Sequence, residues 1–430
     1  MLHPYPRTAM IALSLAAAIA VVTAASGTAA RASVPPPAAA VARDVIEDPS
    51  GIALDGFFAA LAASEADTPG AITRVMHLGD SSIGLDGLPH ALRRRMQDRF
   101  GDGGAGFVML DRESANYDNR AVSLTASGWS ICYIAYRCDP GGRYGYGGHV
   151  FRGRAGAYTR VRTRRQGRYG RSVSRFEVWY QTDPRGGPLE VRVDSEPWQT
   201  IDTRSAADAP PTAQWHQVDV EPGAHTVELR HRGSGRPRAF GVVLETDGPG
   251  VTWDTLSMIG AFTRRLLFFD AEHLAEQIEH RSVDLLVFGF GGNDLRRFVT
   301  NSVSTAEFVV EMREVLARVR HRQPELSCLV IGIVDHARAG RYQVARRHTI
   351  NMVAAQREAA LAEGCAFFDS MTAMGGPGSI RAWRKLSPAL AEPDLQHLSM
   401  HGRDRLGEMI FDGLMVRYEA HRQRTSLPAG

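Results

Sequence analysis

The chain has 430 residues, 44% of them hydrophobic and 23% charged, with 50 Lys and Arg set against 47 Asp and Glu. A chain of that size and balance is an ordinary globular one with apolar material for more than one core. Its formal charge of +3 gives no basic excess that would imply a polyanion or nucleic-acid partner.

In chain order, residues 1–32 read first, as an export signal. Arg7 precedes the apolar run AMIALSLAAAIAVVTAA, and ARA at Ala30 to Ala32 supplies the small residues that a signal peptidase reads. The other reading, an uncleaved anchor, has to be built from a run barely long enough to span and rich in alanine. No second segment has a spanning pattern. The expectation is therefore an exported protein of the periplasm or cell envelope, with no stable membrane insertion after cleavage. SVPPPAAAVA opens a Pro/Ala-rich linker over 33–47 that has nothing to bury.

From Ile72 to Leu78 the residues predict a strand, and LPHALRRRMQDRF then places Leu88, Leu92, Met96 and Phe100 on one helix face. This strand and helix form the first part of an α/β domain, residues 48–109. After GDGGAGFV the pattern changes to short strands and Gly/Pro turns, as in SRFEVWYQTD, LEVRVDS and AFGVVLE. A β-sandwich without helices is expected over 110–250. Helical and strand-like runs alternate again over 251–430: DAEHLAEQIEHR, DLLVFGF, TAEFVVEMREVLARVRHR, SCLVIGIVD, a helix from about Tyr342, CAFFD and a last helix from about Gly402. Such alternation is the pattern of a parallel sheet with helices on both faces. The fold expected is α/β, interrupted by a β domain.

Cys132 and Cys138 flank the short loop CYIAYRC, and export permits their oxidation, so they form the favoured disulfide. Cys328 and Cys365 sit in apolar strand-like runs and read as small buried residues.

Three polar clusters fall at or beyond strand ends, where parallel sheets build their sites: Asp80-Ser81-Ser82, Gly291-Gly292-Asn293-Asp294 and Asp394-Leu-Gln-His397. Each alone is a common turn or helix-cap composition. Their order lets all three converge on one edge of the sheet. At these residues the chain resembles the SGNH, or GDSL-type, hydrolase superfamily, whose blocks correspond to Ser81 in GDSS, Gly260 in LSMIGA, Asn293 in GGND, and Asp394 with His397 in DLQH. HLGDSS…RFGDGGAGFV, MGGPGSIRAW and DLQHLSMHGRDRLGEMI further resemble the branch containing peptidoglycan O-acetylesterases, in which a carbohydrate-binding-like β-sandwich is inserted between the first two blocks. The resemblance implies a flavodoxin-like parallel sheet. It departs at Ser82, Gly292 and Asp294, where that branch often has His, Thr and Glu, and these changes bear on the substrate rather than the triad.

The chemistry needs these residue types. A serine hydroxyl attacks an ester only when a base takes its proton, the role given to His397, with Asp394 orienting the imidazole. The backbone N–H groups of Ser81 and Gly260 and the Asn293 amide would receive the negative charge of the tetrahedral intermediate. No metal or cofactor is called for, since the histidines show no ligand spacing. Asp80 is expected to hold the turn, His77 to be a satisfied core histidine, and His401 is the weaker competitor for base because it lacks the D-x-x-H relation. The loop MGGPGSIRAW reads either as a surface turn or as a lip of a sugar site with Gly375, Gly376 and the platform of Trp383. Trp179, Trp198 and Trp215 read as core or as sugar-stacking residues. The function expected is an exported serine esterase that removes O-acetyl groups from a glycan, with peptidoglycan as the leading substrate. The alternatives are a glycan O-acetyltransferase and a non-catalytic glycan-binding or assembly protein.

Overall fold

Residues 45–426 are described by the computed structural model; the expected export signal and most of the linker lie outside them. Ile72–Gly79 forms the expected strand, and every residue in it but Arg74 is buried, the signature of a strand covered on both faces. In chain order the strands begin with β1 (Ile46–Glu47) and β2 (Ile72–Gly79). Then come β3 (Gly106–Val108), β4 (Val122–Tyr133), β5 (His149–Thr163), β6 (Val173–Thr182), β7 (Pro188–Val193), β8 (Gln199–Asp202), β9 (Thr212–Gly223), β10 (Thr226–His231) and β11 (Arg238–Glu245). The last are β12 (Gly250–Ser257), β13 (Leu285–Gly289), β14 (Ser327–Ile331), the hairpin β15 (Arg338–Ala339) and β16 (Tyr342–Gln343), and β17 (Ala366–Phe368).

Six strands form one mixed sheet in the order β1-β17-β14-β13-β2-β12. All neighbours are parallel except β1 against β17. The linker expected over 33–47 is thus corrected at its described end, where Ile46 and Glu47 pair with Phe368 and Phe367 as an edge strand. Strands β3 to β11 form a separate antiparallel sheet. Its first strand begins at Gly106, before the expected boundary at 110. β12, which follows it, returns to the parallel sheet and pairs with β2 along its whole length.

Helices α1 (Asp55–Glu65), α2 (Gly87–Phe100), α3 (Ala271–Arg281), α4 (Leu295–Val299), α5 (Thr305–Val319), α6 (Arg346–Ala362), α7 (Ser370–Ala373), α8 (Ser379–Lys385) and α9 (Met400–Ser426) complete the α/β part. On α2 the predicted stripe Leu88, Leu92, Met96 and Phe100 is buried. α9 packs against it with Leu406, Ile410, Leu414 and Tyr418, one residue per turn. The helix expected from Tyr342 starts at Arg346 instead. The residues before it make the hairpin, closed at Gly340, whose φ of +58° suits the turn.

Both cysteine pairs are disulfides. Cys132–Cys138 is as expected. The reading of Cys328 and Cys365 as free buried residues is corrected, because they stand side by side on neighbouring parallel strands, one position before the register pair Leu329 and Ala366. Trp179 lies in the core of the antiparallel sheet, and Trp215 stacks on His280 of α3 with centroids 3.7 Å apart. Trp198 is partly exposed, with the Arg230 guanidinium 3.7 Å from its ring centre.

Candidate active site

The loops after β2, β12, β13 and β14 leave the same, C-terminal edge of the parallel sheet, where open α/β sheets place their ligands. β2 ends at Gly79, where a Cβ would stand 2.9 Å from Ile83 and 3.0 Å from the Gly289 carbonyl. The chain then enters a short helical segment, Ser81–Asp86, capped by Asp80, whose Oδ1 accepts the Ser82 N–H at 2.9 Å. Asp80 therefore holds the turn as its residue type suggests. Burial pushes its carboxyl up, against the hydrogen bonds from Ser82 and the nearby charge of His397. At the first position of this segment the Ser81 N–H has no place in an intrahelical ladder.

Ser81 Oγ lies 2.8 Å from His397 Nε2, and His397 Nδ1 lies 2.6 Å from Asp394 Oδ2. Asp394 Oδ1 also accepts the backbone N–H groups of Gln396 and His397, both at 3.0 Å. Burial opposes the charge on Asp394, but the His397 side chain and these amides outweigh it and hold the carboxyl below its usual range. The three residues thus form one hydrogen-bonded chain. His401 is exposed on the first turn of α9 and takes no part in it.

Gly260 follows β12 with φ +76°, and a Cβ there would meet nothing within 4 Å. The backbone angle, rather than crowding by the protein, is what asks for glycine. Asn293 follows β13, and its Nδ2 donates to Ala261 O at 3.1 Å and to Asp80 Oδ2 at 3.3 Å. Asp294, one residue on, is buried and accepts the N–H and hydroxyl of Thr263, both at 2.9 Å, which pins the Gly260 loop to the Asn293 loop. A further anchor comes from the antiparallel sheet: Tyr133 donates its hydroxyl to Ile259 O at 2.9 Å.

A cavity of about 200 Å³ opens on this constellation, lined by Ser81, Asn293 and His397 together with apolar residues such as Ile83, Leu88 and Ile331. His77 also lines it. Its Nδ1 accepts the Trp253 indole N–H at 3.1 Å, while the buried Nε2 has no partner among the described residues. It is a core histidine only half satisfied, and burial takes its pKa down to about 3. The expectation for Trp383 is corrected. Its ring is 6% exposed, packs in the α2/α9 core and donates to Met374 O at 3.0 Å, so it offers no platform to a sugar. Gly375 and Gly376 form the turn after α7, and neither lines the cavity. His336 and Gln396 do line it, and sequence reasoning passed over both. The signal for His336 was its place just past β14, the same strand-end logic that singled out Ser81 and Asn293. Among the described residues no group of three or more His, Cys, Asp and Glu could hold a metal ion.

Residues 223–402 match the model of the GDSL-like lipase/acylhydrolase family. The matched segment starts at Gly223, the end of β9 in the antiparallel sheet, and Ser81 lies before it. Among solved structures, a peptidoglycan O-acetylesterase superposes with a TM-score of 0.70 at 20% identity, covering 88% of this chain and 99% of that one. A lipase/acylhydrolase from Enterococcus faecalis aligns at 21% identity over 41% of this chain and 78% of its own, with a TM-score of 0.30. A family two carbohydrate esterase from Cellvibrio japonicus aligns at 11% over 69% and 98%, with a TM-score of 0.28. The last two scores are too low to carry an argument. No curated protein matches in sequence. The chain is thus similar to the GDSL-like lipases and acylhydrolases in sequence, and to a peptidoglycan O-acetylesterase in fold over most of its length.

Proposed function

We propose that the chain is an exported serine esterase that hydrolyses O-acetyl esters on a glycan, with peptidoglycan as the leading substrate. The observation that carries this is the hydrogen-bonded chain Ser81–His397–Asp394 opening on a cavity at the sheet edge. In the first half-reaction Ser81 Oγ attacks the acetyl carbonyl as its proton passes to His397 Nε2. Asp394 keeps Nδ1 protonated and stabilises the imidazolium. The Ser81 and Gly260 N–H groups and the Asn293 amide meet the oxyanion. The sugar oxygen then leaves with the proton from His397, and acetyl-Ser81 remains. Water repeats the sequence, giving its proton to His397, and acetate departs as Ser81 recovers its own. The similarity of fold to a peptidoglycan O-acetylesterase supports the choice of glycan, and such a substrate would lie outside the cytoplasm. The mature protein should release acetate from O-acetylated peptidoglycan faster than from acetylated xylan; the reverse order overturns the substrate. Transfer of most acetyl groups to an added deacetylated glycan would replace hydrolase by transferase.

The antiparallel strands are read here as a β-sandwich inserted between α2 and β12. What supports this is the double pairing of β5, whose residues 158–162 meet β10 while Phe151 and Arg152 meet β11. The long strand then serves both layers, β4-β5-β10-β7-β8 and β3-β11-β6-β9. A crystal structure with all nine strands in one open layer would refute it.

A further inference from the structure

His336 follows β14 at the sheet edge that carries Ser81 and Asn293, and the reaction sequence above gives it no task. Both its neighbours are tied down. Asp335 Oδ2 accepts the backbone N–H groups of Gly378 and Ile380, each at 3.0 Å. Ala337 donates its N–H to Leu395 O at 2.9 Å, in the loop between Asp394 and His397. The imidazole is 8% exposed, and its Nδ1 lies 2.6 Å from Val334 O. A carbonyl only accepts, so Nδ1 carries the proton and Nε2 of the neutral ring presents a lone pair. Burial takes the pKa down to about 4, with the charge of His397 adding to the fall and the Val334 bond opposing it. The ring is therefore neutral at ordinary pH. Nε2 has no hydrogen-bond partner among the described residues, yet His336 lines the cavity with Ser81 and His397. A Cβ at Gly292 would stand 3.6 Å from this Nε2 and 3.4 Å from Asp80 Oδ2. The lone pair thus sits close to the backbone that leads into Asn293.

An acceptor facing an open cavity is paired by water until a ligand displaces it, and a ligand that cannot donate then leaves it unpaired. The acetyl half of the substrate has no N–H or O–H. The glycan half has hydroxyls and amide N–H groups. We propose that His336 is a substrate-binding residue that sets specificity, its Nε2 accepting a hydrogen bond from a hydroxyl or amide N–H of the glycan that carries the ester. This rests on the esterase reading of the site. A site built to pair such a donor discriminates against a substrate that lacks it, because the acceptor is then left unpaired.

The test compares methyl 6-O-acetyl-N-acetylglucosaminide, which keeps free hydroxyls and an amide N–H, with phenyl acetate, which has neither. His336→Asn can keep the donation to Val334 O while removing the cavity acceptor. It should lower kcat/KM for the sugar acetate by about 10- to 100-fold and leave phenyl acetate within about twofold. His336→Gln, whose amide oxygen can reach the same space, should regain most of the loss. Labelling of Ser81 by a phosphonate at the wild-type rate shows that fold and triad stand in each variant. Equal loss on both esters, or no loss on the sugar acetate, overturns the proposal. Should His336→Asn not fold, His336→Gln decides: a ratio of the two esters near the wild-type value supports the acceptor role, and a collapsed ratio with intact labelling refutes it. If the wild type cleaves the sugar acetate but not peptidoglycan, the choice of glycan fails and His336 stands.

Discussion

Replacing Arg281 by methionine tests how the antiparallel sheet is held on the parallel one. Arg281 on α3 is buried between two carboxylates, Glu245 at the end of β11 and Asp254 on β12, with side-chain exposures of 3%, 2% and 0%. It donates to Glu245 Oε1 at 2.5 Å, to Asp254 Oδ2 at 2.8 Å and Oδ1 at 3.1 Å, and to Thr252 Oγ1 at 3.0 Å. Without it Glu245 keeps Arg74, at 2.8 and 3.0 Å, and Arg175. Asp254 keeps the Phe107 N–H, at 2.8 Å, but no cation among the described residues. Stripping one partner from a buried pair costs about 3 to 5 kcal/mol. At about 2.1 cal/mol/K of unfolding entropy per residue, a chain of this size should melt about 4 to 6 °C lower. Calorimetry of the variant, beside activity at low temperature, measures this. Arg281→Met combined with Asp254→Asn should recover part of the loss, since the unpaired charge is then gone. A loss below about 1 kcal/mol would refute the reasoning, because it would mean that water reaches Asp254. The pH dependence has a definite sign. Burial opposes the charge on Glu245, but Arg281, Arg74 and Arg175 hold its carboxyl well below its ordinary value of 4.5. A folded value below the unfolded one gives stability that is present above about 4.5 and is lost as pH falls below it. The wild type should therefore weaken more steeply in acid than Arg281→Met.

Ser81→Ala should abolish ester hydrolysis with the melting temperature unchanged, and a phosphonate should label Ser81; labelling of Ser82, whose hydroxyl donates to Gly289 O at 3.2 Å, would move the nucleophile. Asn293→Ala should lower kcat by about 10² to 10³ with KM little changed, since in the proposed reaction its amide would act on charge present only in the transition state. An unaltered kcat would remove it from the oxyanion hole. Tyr133→Phe removes the hydroxyl that fixes Ile259 O beside Gly260 and should lower kcat by about 5- to 10-fold at constant KM, as for a lost neutral hydrogen bond of about 1 kcal/mol. A rise in KM alone would instead assign Tyr133 to substrate binding.

Local pattern carried the α/β part because its strands and helices bury what their own periodicity exposes, as Leu88, Leu92, Met96 and Phe100 do on α2. The site blocks were legible for a related reason: strand ends are visible in sequence, and the topology brings them to one edge. What depends on neighbours distant in sequence was not legible. Cys328 and Cys365 meet only because β14 and β17 are adjacent, which no local spacing encodes. Trp383 looked like a platform because it follows a Gly-rich loop, yet Ile380 and Trp383 at helical spacing mark the buried face of α8. His336 has no motif around it, and its importance lies in a lone pair that becomes visible once Val334 O has claimed the other nitrogen.

The place where the antiparallel segment leaves the parallel sheet explains how so long a segment can keep the Ser81–His397–Asp394 hydrogen bonds intact. α2 ends beside the start of β12: Val251 donates to Gly101 O at 3.0 Å and Gly103 to Val251 O at 3.2 Å, so the chain leaves and re-enters at adjacent points. Closing a long loop between neighbouring ends costs little more than closing a short one, because the entropy grows only with the logarithm of length. The parallel sheet can therefore align β2 with β12 whatever lies between them, and the Ser81 and Gly260 loops follow from that pairing. The inserted segment nevertheless comes back to both loops. Asn116 O accepts the Leu85 N–H at 2.8 Å on the nucleophile side, and Tyr133 reaches Ile259 on the oxyanion side. Arg120 also donates its N–H to Asp86 Oδ2 at 2.7 Å, and the segment's influence on rate should pass through contacts of this kind. Changes far from them, such as at Trp198, should leave kcat on a small ester unaltered, and would weaken retention of polymer only if the antiparallel segment binds glycan.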